Sequence, residues 1–189
     1  HRDLHSFPTR RSSDLKAAWD VSVYRGEDAL LQWDTFVEIE NTGWKGKNGS
    51  SIKQLAEEYQ TFYRGLIVQL AARDQLLISL LWYNGQPIAG CFMYCDGNVL
   101  HMFKVGYDAD YHALSPSNIL FVETVKRLCD QPEGVRILHG FPGNFGYKDR
   151  IWQMDYATHS MSLYRRTLRG TALYRYRQAK NKIKHRSLR

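Results

Sequence analysis

The sequence predicts an α+β domain in which helices pack on a mostly antiparallel β-sheet. Two dipeptides carry much of this prediction, Asn84-Gly85 and Asp96-Gly97, because Asn-Gly and Asp-Gly favour the tight turns of β-hairpins. They separate three apolar stretches, 76–83, 87–95 and 98–105, which we therefore expect to form an antiparallel meander. Segments before and after the meander repeat their apolar residues at helical spacing, which predicts helices on both faces of the sheet.

The other elements follow from periodicity, capping residues and turn residues. In chain order they are a strand over 21–24, a helix over 28–41, a loop over 43–49, a helix from Ser50 or Ser51 to about Arg73, a helix over 115–129, a strand over 135–138, a loop over 141–144, a helical turn over 147–152, a strand over 154–163 and a helix from about Arg166. The second of these helices is expected to bury an apolar side that includes Tyr59 and Phe62. In the last helix, Leu168, Ala172 and Tyr176 recur at helical spacing, and we expect them to pack while the basic side chains stay solvated.

Length and composition predict one folded core. The chain has 189 residues and is 43% hydrophobic, which suffices for a single domain over residues 16–165. Residues 1–15 have neither apolar periodicity nor the apolar stretch of a signal peptide, and they resemble a translated adapter. We therefore expect a non-native leader in front of the C-terminal part of a longer protein. Residues 166–189 are expected to form a separate basic helix or tail.

The positive charge of the chain is concentrated near its C-terminus. The net charge is +7, but ten of the 26 Lys and Arg residues lie in 164–189, which contains no Asp or Glu. The rest of the chain holds 16 basic and 19 acidic residues, so the fold itself has no general basic character. This distribution weakens a nucleic-acid function for the whole domain and leaves tRNA or an anionic membrane surface as partners of the tail.

The three cysteines indicate reduced thiols. Cys91, Cys95 and Cys129 form no CxxC motif and are odd in number, so we expect neither a disulfide framework nor a metal site. Cys91 and Cys95 alternate onto one strand face and are expected in the core. No apolar run approaches membrane-spanning length. Because the thiols are expected to be reduced, the expected location is the cytoplasm.

A strand, a loop and a helix start together predict an anion site. The strand ends around Lys104, and a helix opens at Leu114-Ser115-Pro116-Ser117-Asn118. Helix N-termini offer free backbone N–H groups and partial positive charge, which suit a phosphate of a nucleotide-like cofactor. Lys104 would add charge, and Ser115 and Ser117 would add hydroxyl donors. The simpler interpretation is that Ser115 only caps the helix in front of Pro116.

The order of elements and several motifs resemble the GNAT fold, and in particular acetyltransferases of the CelD/BcsL type, which are related to the Fem peptidoglycan aminoacyltransferases. The matching motifs are Glu38-Ile39-Glu40-Asn41-Thr42-Gly43-Trp44-Lys45-Gly46, Phe62-Tyr63-Arg64, Asn84-Gly85-Gln86-Pro87-Ile88-Ala89, Lys104-Val105-Gly106-Tyr107-Asp108, Leu114-Ser115-Pro116, and Pro142-Gly143 with Tyr147-Lys148-Asp149-Arg150-Ile151-Trp152. They span most of the chain from about Asp28 to Trp152 in the expected order.

The resemblance implies direct transfer of an acyl group from acetyl-CoA or another acyl-CoA to an amine, without a covalent enzyme intermediate. The acyl carbonyl would lie between the strand that contains Lys104 and Val105 and the strand over 135–138. The pyrophosphate would lie at the helix start. The expected cofactor-binding residues are Lys104, Val105, Ser115, Ser117 and Asn118, with the charge of Lys104 either at the phosphate or near the acyl carbonyl.

Four residues are candidates for proton transfer. Tyr107 is a candidate acid for the leaving thiolate, although a loop aromatic that packs on the helix is an equal alternative. Glu40 lies next to the 43–46 loop and is a candidate base or a carboxylate that binds the acceptor amine. The alternative is that Glu40 is a solvated helix residue. His139 stands at a strand end where the family often has a carboxylate, and is preferred to His101. Lys148 is the fourth candidate, and the alternative for it is a surface lysine without a catalytic role.

Three residues are expected at the acceptor amine. Trp44 and Lys45 come from the loop that follows the first helix, although a Trp beside glycines is as often a packing anchor. Tyr147 pairs with Lys148 in a way that resembles the aromatic–lysine pair of Fem-type enzymes. The acceptor is expected to be a small molecule or a polymer precursor, as in polysaccharide or cell-envelope synthesis.

Departures from the family pattern keep two other functions open. Ser117 stands where the family often has Gly, and the family's acidic residues near His139 and Asn144 are absent. The first alternative is a Fem-like transferase that uses aminoacyl-tRNA, which the basic tail would favour. The second is a non-catalytic half of a protein with two such domains, its upstream half missing here.

Overall fold

The computed structural model describes residues 19–130, 135–140 and 162–186. The strands are β1 (Trp19–Arg25), β2 (Leu76–Tyr83), β3 (Gln86–Asp96), β4 (Val99–Tyr107) and β5 (Ile137–Gly140). The helices are α1 (Gly26–Leu31), α2 (Trp33–Thr42), α3 (Trp44–Lys47), α4 (Glu57–Ala71), α5 (Pro116–Cys129) and α6 (Leu168–Arg186), with 3-10 helices at Ile52–Gln54 and Ala109–Leu114. The chain forms two compact units, residues 1–141 and residues 142–189.

The first unit contains a five-stranded sheet in the order β1-β2-β3-β4-β5. All neighbours pair antiparallel except β4 and β5, which are parallel. The expected meander is therefore confirmed. Its first turn is Asn84-Gly85 with φ values of 49° and 77°, the left-handed region that this turn type requires. The second turn lies one residue later than expected, at Gly97-Asn98, because β3 continues through Asp96.

Helices cover both faces of the sheet, as predicted. Alternation along β2 directs Leu77 and Leu81 to the face that α5 covers, and Leu76, Ile78 and Leu80 to the face that α1, α2 and α4 cover. The α5 core consists of Val21, Leu77, Leu81, Ile88, Ala89, Cys91, Met93, Cys95, Leu100, Leu120 and Leu128. The opposite core consists of Ala29, Trp33, Phe36, Ile39, Ile52, Ile67, Ala71, Leu76, Ile78, Leu80 and Phe92. The expectation that Cys91 and Cys95 belong to the core is confirmed.

Several helix boundaries differ from the sequence prediction. The helix expected over 28–41 is two helices, because Gln32 (φ −92°, ψ 0°) interrupts it. The loop expected over 43–49 contains α3. Neither Ser50 nor Ser51 caps the next helix, since Ser51 is buried and its hydroxyl donates to Asn41 Oδ1 at 2.7 Å. A 3-10 turn intervenes, and α4 begins only at Glu57.

The expected buried side of α4 is wrong in part. Tyr59 and Phe62 are 62% and 59% exposed, whereas Ile67 and Ala71 are the buried residues of this helix. Because α4 contacts the sheet mainly through its C-terminal half, its first two turns present aromatic side chains to solvent. This part of the helix flanks the C-terminal half of β4, where the ring of Tyr63 lies 6.2 Å from that of Phe103.

The parallel pairing of β4 with β5 is described over the first half of β4. Val99–Met102 pair with Ile137–Gly140, and Gly140 is the last described residue of this part of the chain. Directly after the last described pair, the β3–β4 ladder contains a bulge: Phe92 pairs with Lys104 and Met93 with Met102, so Phe103 is the extra residue. We call the region around this bulge, from Met102 to Tyr107 of β4, the fork. β5 begins two residues later than the strand expected over 135–138.

The described part of the second unit is α6 and the segment before it. Tyr164 packs edge-on against Tyr174 at 5.7 Å, and the Arg177 guanidinium donates to Ser162 Oγ at 2.9 Å. The expected packing of Leu168 and Tyr176 is wrong, since they are 94% and 65% exposed. Ala172 is exposed as well. In the described structure these residues of α6 face solvent together with its basic side chains.

Three expectations fall mostly or wholly outside the described residues: the loop over 141–144, the helical turn over 147–152 and the strand over 154–163, of which only Ser162 and Leu163 are described and do not form a strand. No helix in the described parts of the chain is both long enough and apolar enough to cross a membrane.

Candidate active site at the fork of the sheet

A buried carboxylate holds two ammonium groups beside the fork. Glu40, in the last turns of α2, has no exposed surface. Its Oε1 accepts from Lys45 Nζ at 2.8 Å and from Lys104 Nζ at 3.1 Å, and its Oε2 accepts from the Ile52 backbone N–H at 2.9 Å. Lys45 Nζ also donates to the Val105 carbonyl at 2.8 Å. The alternative of a solvated Glu40 is therefore wrong.

Close backbone packing holds this group together. A Cβ added to Gly106 would lie 2.6 Å from Glu40 Cα, and one added to Gly43 would lie 2.6 Å from the Tyr107 carbonyl oxygen. Only glycine permits such an approach between a helix and a strand. The two glycines thereby bring the end of α2 against the C-terminal half of β4, and the Glu40 carboxylate meets Lys104 across 64 residues of sequence.

The electrostatics of the group keep Glu40 charged. Burial by itself raises the pKa of Glu40, but the hydrogen bonds from Lys45 and Ile52 and the charges of Lys45 and Lys104 outweigh it, so the pKa lies below its ordinary value. A carboxylate with a lowered pKa is a weak proton acceptor. The arrangement therefore supports a structural and electrostatic role for Glu40 rather than the role of base.

Lys104 does not contact the helix start that it was expected to serve. Its ammonium lies on Glu40 and 5.3 Å from the centre of the Tyr63 ring, on the sheet face opposite to α5. The bulge at Phe103 causes this orientation, because it turns both Phe103 and Lys104 toward the same face. The expectation that Lys104 contributes to a phosphate site is corrected accordingly, and its ammonium instead lies at the fork beside Val105.

The start of α5 is less regular than the sequence suggests. Pro116 occupies the first helical position, as expected, but Ser115 adopts a left-handed conformation (φ 53°, ψ 51°) and its side chain caps nothing. The Asn118 backbone N–H, expected to bind phosphate, donates to the Ser115 carbonyl at 3.0 Å. The Ser117 hydroxyl is buried, and the described residues offer it no hydrogen-bond partner.

Tyr107 pairs with a histidine that the sequence analysis did not identify. Its hydroxyl lies 3.0 Å from His112 Nδ1, and the two rings stack with centres 5.9 Å apart. His112 belongs to the 3-10 helix between β4 and α5. The spacing of five residues across an unrecognised turn gave no periodic signal, so only the fold brings the two rings together.

His139 and His101 are neighbours in the parallel ladder. Their Nδ1 atoms are 3.1 Å apart, and the His101 ring stacks on Tyr94 at 4.5 Å. Burial, followed by the proximity of His139, lowers the pKa of His101. The pair lies one residue before the fork, on the same sheet face as Lys104.

Trp44 flanks the group formed by Glu40, Lys45 and Lys104, and two other expected residues lie outside the described part of the chain. Trp44 is 57% exposed, and the Lys45 ammonium lies 5.9 Å from the centre of its ring. Tyr147 and Lys148 are not among the described residues. Within the described ranges no cluster of His, Cys, Asp or Glu could hold a metal ion. Burial raises the pKa of the Cys91 thiol to about 12, so Cys91 is an inert core residue.

The family of the chain follows from its sequence match. A family model described as an acetyltransferase (GNAT) domain matches residues 9–149, which is well over half of the chain. The chain therefore belongs to the GNAT acetyltransferase family and is an N-acetyltransferase by class. Enzymes of this family use acyl-CoA. No curated protein matches the chain.

Solved structures share the fold at low sequence identity. A possible acetyltransferase from Clostridium difficile 630 has a TM-score of 0.55 and 16% identity, over 77% of this chain and 98% of that chain. An aminoglycoside acetyltransferase from an uncultured soil metagenomic sample has a TM-score of 0.54 and 11% identity, over 77% and 98%. A second such enzyme, in complex with trehalose, has a TM-score of 0.53 and 8% identity, over 79% and 99%. The likeness shows the fold alone.

Proposed function

We propose that this chain transfers an acyl group, most simply acetyl, from acyl-CoA to an amine acceptor by direct transfer within a ternary complex. The observation that carries the proposal is the C-terminal half of β4, where the bulge at Phe103 turns Lys104 toward Glu40 and where Lys45 donates to the Val105 carbonyl. This half of β4 contains Lys104 and Val105, beside which the family resemblance places the acyl carbonyl. The narrower subtype and a role in polysaccharide or cell-envelope synthesis are part of this proposal.

Charge at the fork supports acyl transfer. Lys45 and Lys104 bring two ammonium groups to one carboxylate beside the Val105 carbonyl. Preorganised positive charge at this strand can stabilise negative charge in the ternary complex, whether it develops on the acyl carbonyl or is carried by a bound substrate. Glu40 holds both ammonium groups in position, and we propose no proton transfer for it.

Proton transfer is proposed for residues on either side of the fork. Tyr107, with His112 at its hydroxyl, is the proposed acid for the leaving thiolate. His139, with His101 at its Nδ1, is the proposed base for the amine. An imidazole nitrogen can accept the proton that an attacking amine loses. Lys148 and Tyr147 stay proposals from the resemblance alone, as residues near the reacting carbonyl and the acceptor.

The start of α5 is the proposed site of the cofactor pyrophosphate. The buried Ser117 hydroxyl, for which the described residues provide no partner, supports a ligand that supplies one. Ser115 and Asn118 lie beside it on the exposed side of the helix start. Helix N-termini favour anions through their backbone N–H groups and dipole.

Calorimetric titration with acetyl-CoA tests the function. We expect micromolar binding by the wild-type chain and binding about tenfold weaker for Ser117→Ala, since a hydrogen bond to a charged group contributes about 1.5–3 kcal/mol. Lys126→Gln is the matched control, because Lys126 lies exposed on the same helix and its contact among the described residues is an ion pair with Glu123. Absence of binding by the folded wild-type chain would overturn the acyl-CoA function.

The exposed helix α6 supports a second candidate, a Fem-like transfer from aminoacyl-tRNA. Gly170 is the only buried residue among the described positions 162–180. The Arg and Lys side chains of this segment are exposed and therefore available to a polyanion. Binding of tRNA that falls steeply with salt, and is lost on deletion of residues 165–189, would favour this candidate. A folded chain that binds neither acetyl-CoA nor tRNA would favour a non-catalytic half-domain.

A further inference from the structure

Within the described ranges, the two lysines at the fork have hydrogen-bonding capacity that no side chain or backbone group takes up. Each ammonium has three N–H donors. Lys45 Nζ uses two of them, for Glu40 and for the Val105 carbonyl. Lys104 Nζ uses one for Glu40, and its remaining contact in the described structure is with the Tyr63 ring. Counted over the described residues alone, one donor of Lys45 and two of Lys104 can reach a ligand.

Among the described residues, the site carries one more positive than negative charge. Glu40 is the only carboxylate in contact with either lysine among the described residues, so two positive charges share one negative charge. Glu38, near in sequence, is 61% exposed and pairs with Lys53 instead. The lysine side chains are 15% and 16% exposed, which leaves their ammonium groups mostly desolvated. A net charge in such surroundings attracts an anion more strongly than a solvated lysine does.

The donors of the two lysines lie on the sheet face opposite to α5, near Trp44, which is expected to bind the acceptor. Lys104 shares its sheet face with the Tyr63 and Phe103 rings, and Lys45 lies above the exposed Trp44 ring. A ligand that reaches these donors would thus lie among aromatic rings beside the C-terminal half of β4. A polycationic ligand would be repelled by the positive charge of the lysines. The Glu40 carboxylate already accepts hydrogen bonds from Lys45, Lys104 and the Ile52 backbone.

We propose that Lys45 and Lys104 bind an anionic group of the acceptor, a phosphate or a carboxylate, and that the acceptor is an anionic amine rather than a polycation of the aminoglycoside type. This inference rests on the proposed function, because it names the acceptor class of the same site. The Lys45 and Lys104 donors fix the anion, and the amine of the same molecule lies toward the fork.

The first test is titration of the chain with inorganic phosphate in the presence of saturating acetyl-CoA, so that the proposed pyrophosphate site is already occupied. We expect millimolar binding that weakens about tenfold or more in Lys104→Gln, as the loss of a charged hydrogen bond predicts. Lys53→Gln, which removes an exposed lysine from a 2.7 Å pair with Glu38, is the control and should bind as the wild type does. Thermal unfolding of each variant verifies that it is folded.

The second test compares acceptors that differ only in the anionic group. Glucosamine 6-phosphate should be acetylated with a kcat/KM about tenfold above that of glucosamine, and the polycation sisomicin should be the poorest of the three. Lys104→Gln should remove the preference, so that the ratio of the two kcat/KM values falls to about one. No phosphate binding, or equal binding by wild type and Lys104→Gln, overturns the proposal.

The two proposals fail in distinguishable ways. If acetyl-CoA binds and sisomicin is the best acceptor, the anion site is wrong and the acyltransferase function stands. If acetyl-CoA does not bind, the function is wrong. Phosphate titrated into the free chain then tests the anion site alone, because Lys104→Gln should weaken that binding and Ser117→Ala should not.

Discussion

Gly106 of β4 and Glu40 of α2 are in backbone contact, so close that a Cβ at residue 106 would lie 2.6 Å from Glu40 Cα. This contact brings the Glu40 carboxylate under the two lysines of the fork. It also makes the site sensitive to a single methyl group, since neither a helix backbone nor a central strand moves easily.

Gly106→Ala should destabilise the fold by about 1–3 kcal/mol through overpacking. Gly65→Ala is the matched control, because a Cβ there meets nothing within 4 Å and Gly65 lies inside α4. Ala is favoured over Gly in helices, so this control should stabilise the protein by about 0.5–1 kcal/mol. Urea unfolding followed by circular dichroism measures both effects. Equal effects of the two substitutions would contradict the contact.

Glu40→Gln should lower the free energy of unfolding by about 3–5 kcal/mol, because it leaves two buried ammonium groups without their counter-charge. Glu38→Gln removes an exposed carboxylate that pairs with Lys53, and should change stability by less than about 1 kcal/mol. Chemical denaturation of the two variants checks the difference. A loss below about 1 kcal/mol in Glu40→Gln would mean that the buried ion group is not formed in solution.

The stability of the wild-type chain should fall in acid through Glu40. Its pKa in the folded protein lies below the ordinary value of 4.5, so its contribution is present above that value and is lost as the pH falls through the folded pKa. Below about pH 4.5, the free energy of unfolding should decline more steeply in wild type than in Glu40→Gln, by up to about 1.4 kcal/mol per pH unit. Denaturation at a series of pH values measures both slopes. Parallel curves would contradict the lowered pKa.

A buried hydroxyl pair joins α5 to the sheet. Thr124 Oγ1 donates to Ser79 Oγ at 2.9 Å, and both side chains are buried. Thr124→Val should cost about 1–3 kcal/mol because it leaves the Ser79 hydroxyl unsatisfied, whereas the double variant with Ser79→Ala should recover most of that loss. A double-mutant cycle by urea unfolding gives the coupling energy, and additive effects would argue against the bond.

Local sequence signals were sufficient for the meander and for the start of α5. Asn84-Gly85 provides the positive φ values that its turn needs, and Pro116 begins its helix at the first position, as helix-start statistics predict. The same signals failed where tertiary contacts dominate. Ser51 has the chemistry of a cap, but its hydroxyl bonds to Asn41 instead. Tyr59 and Phe62 have the period of a buried face, but the first turns of α4 extend past the sheet.

The sequence by itself determined the fold class, the family and most of the residues that surround the fork, since turn residues, periodicity and ordered motifs are local properties of the chain. Only the tertiary structure decided what those residues do to one another. In the structure Lys104 lies on Glu40 and not at the helix start, and Glu40 is buried between two lysines. Tyr107 lies beside His112, and His139 lies beside His101. The physical reason is that pKa values, ion pairs and hydrogen bonds depend on distances of about 3 Å between side chains. Those distances are set by packing between elements that are distant in sequence.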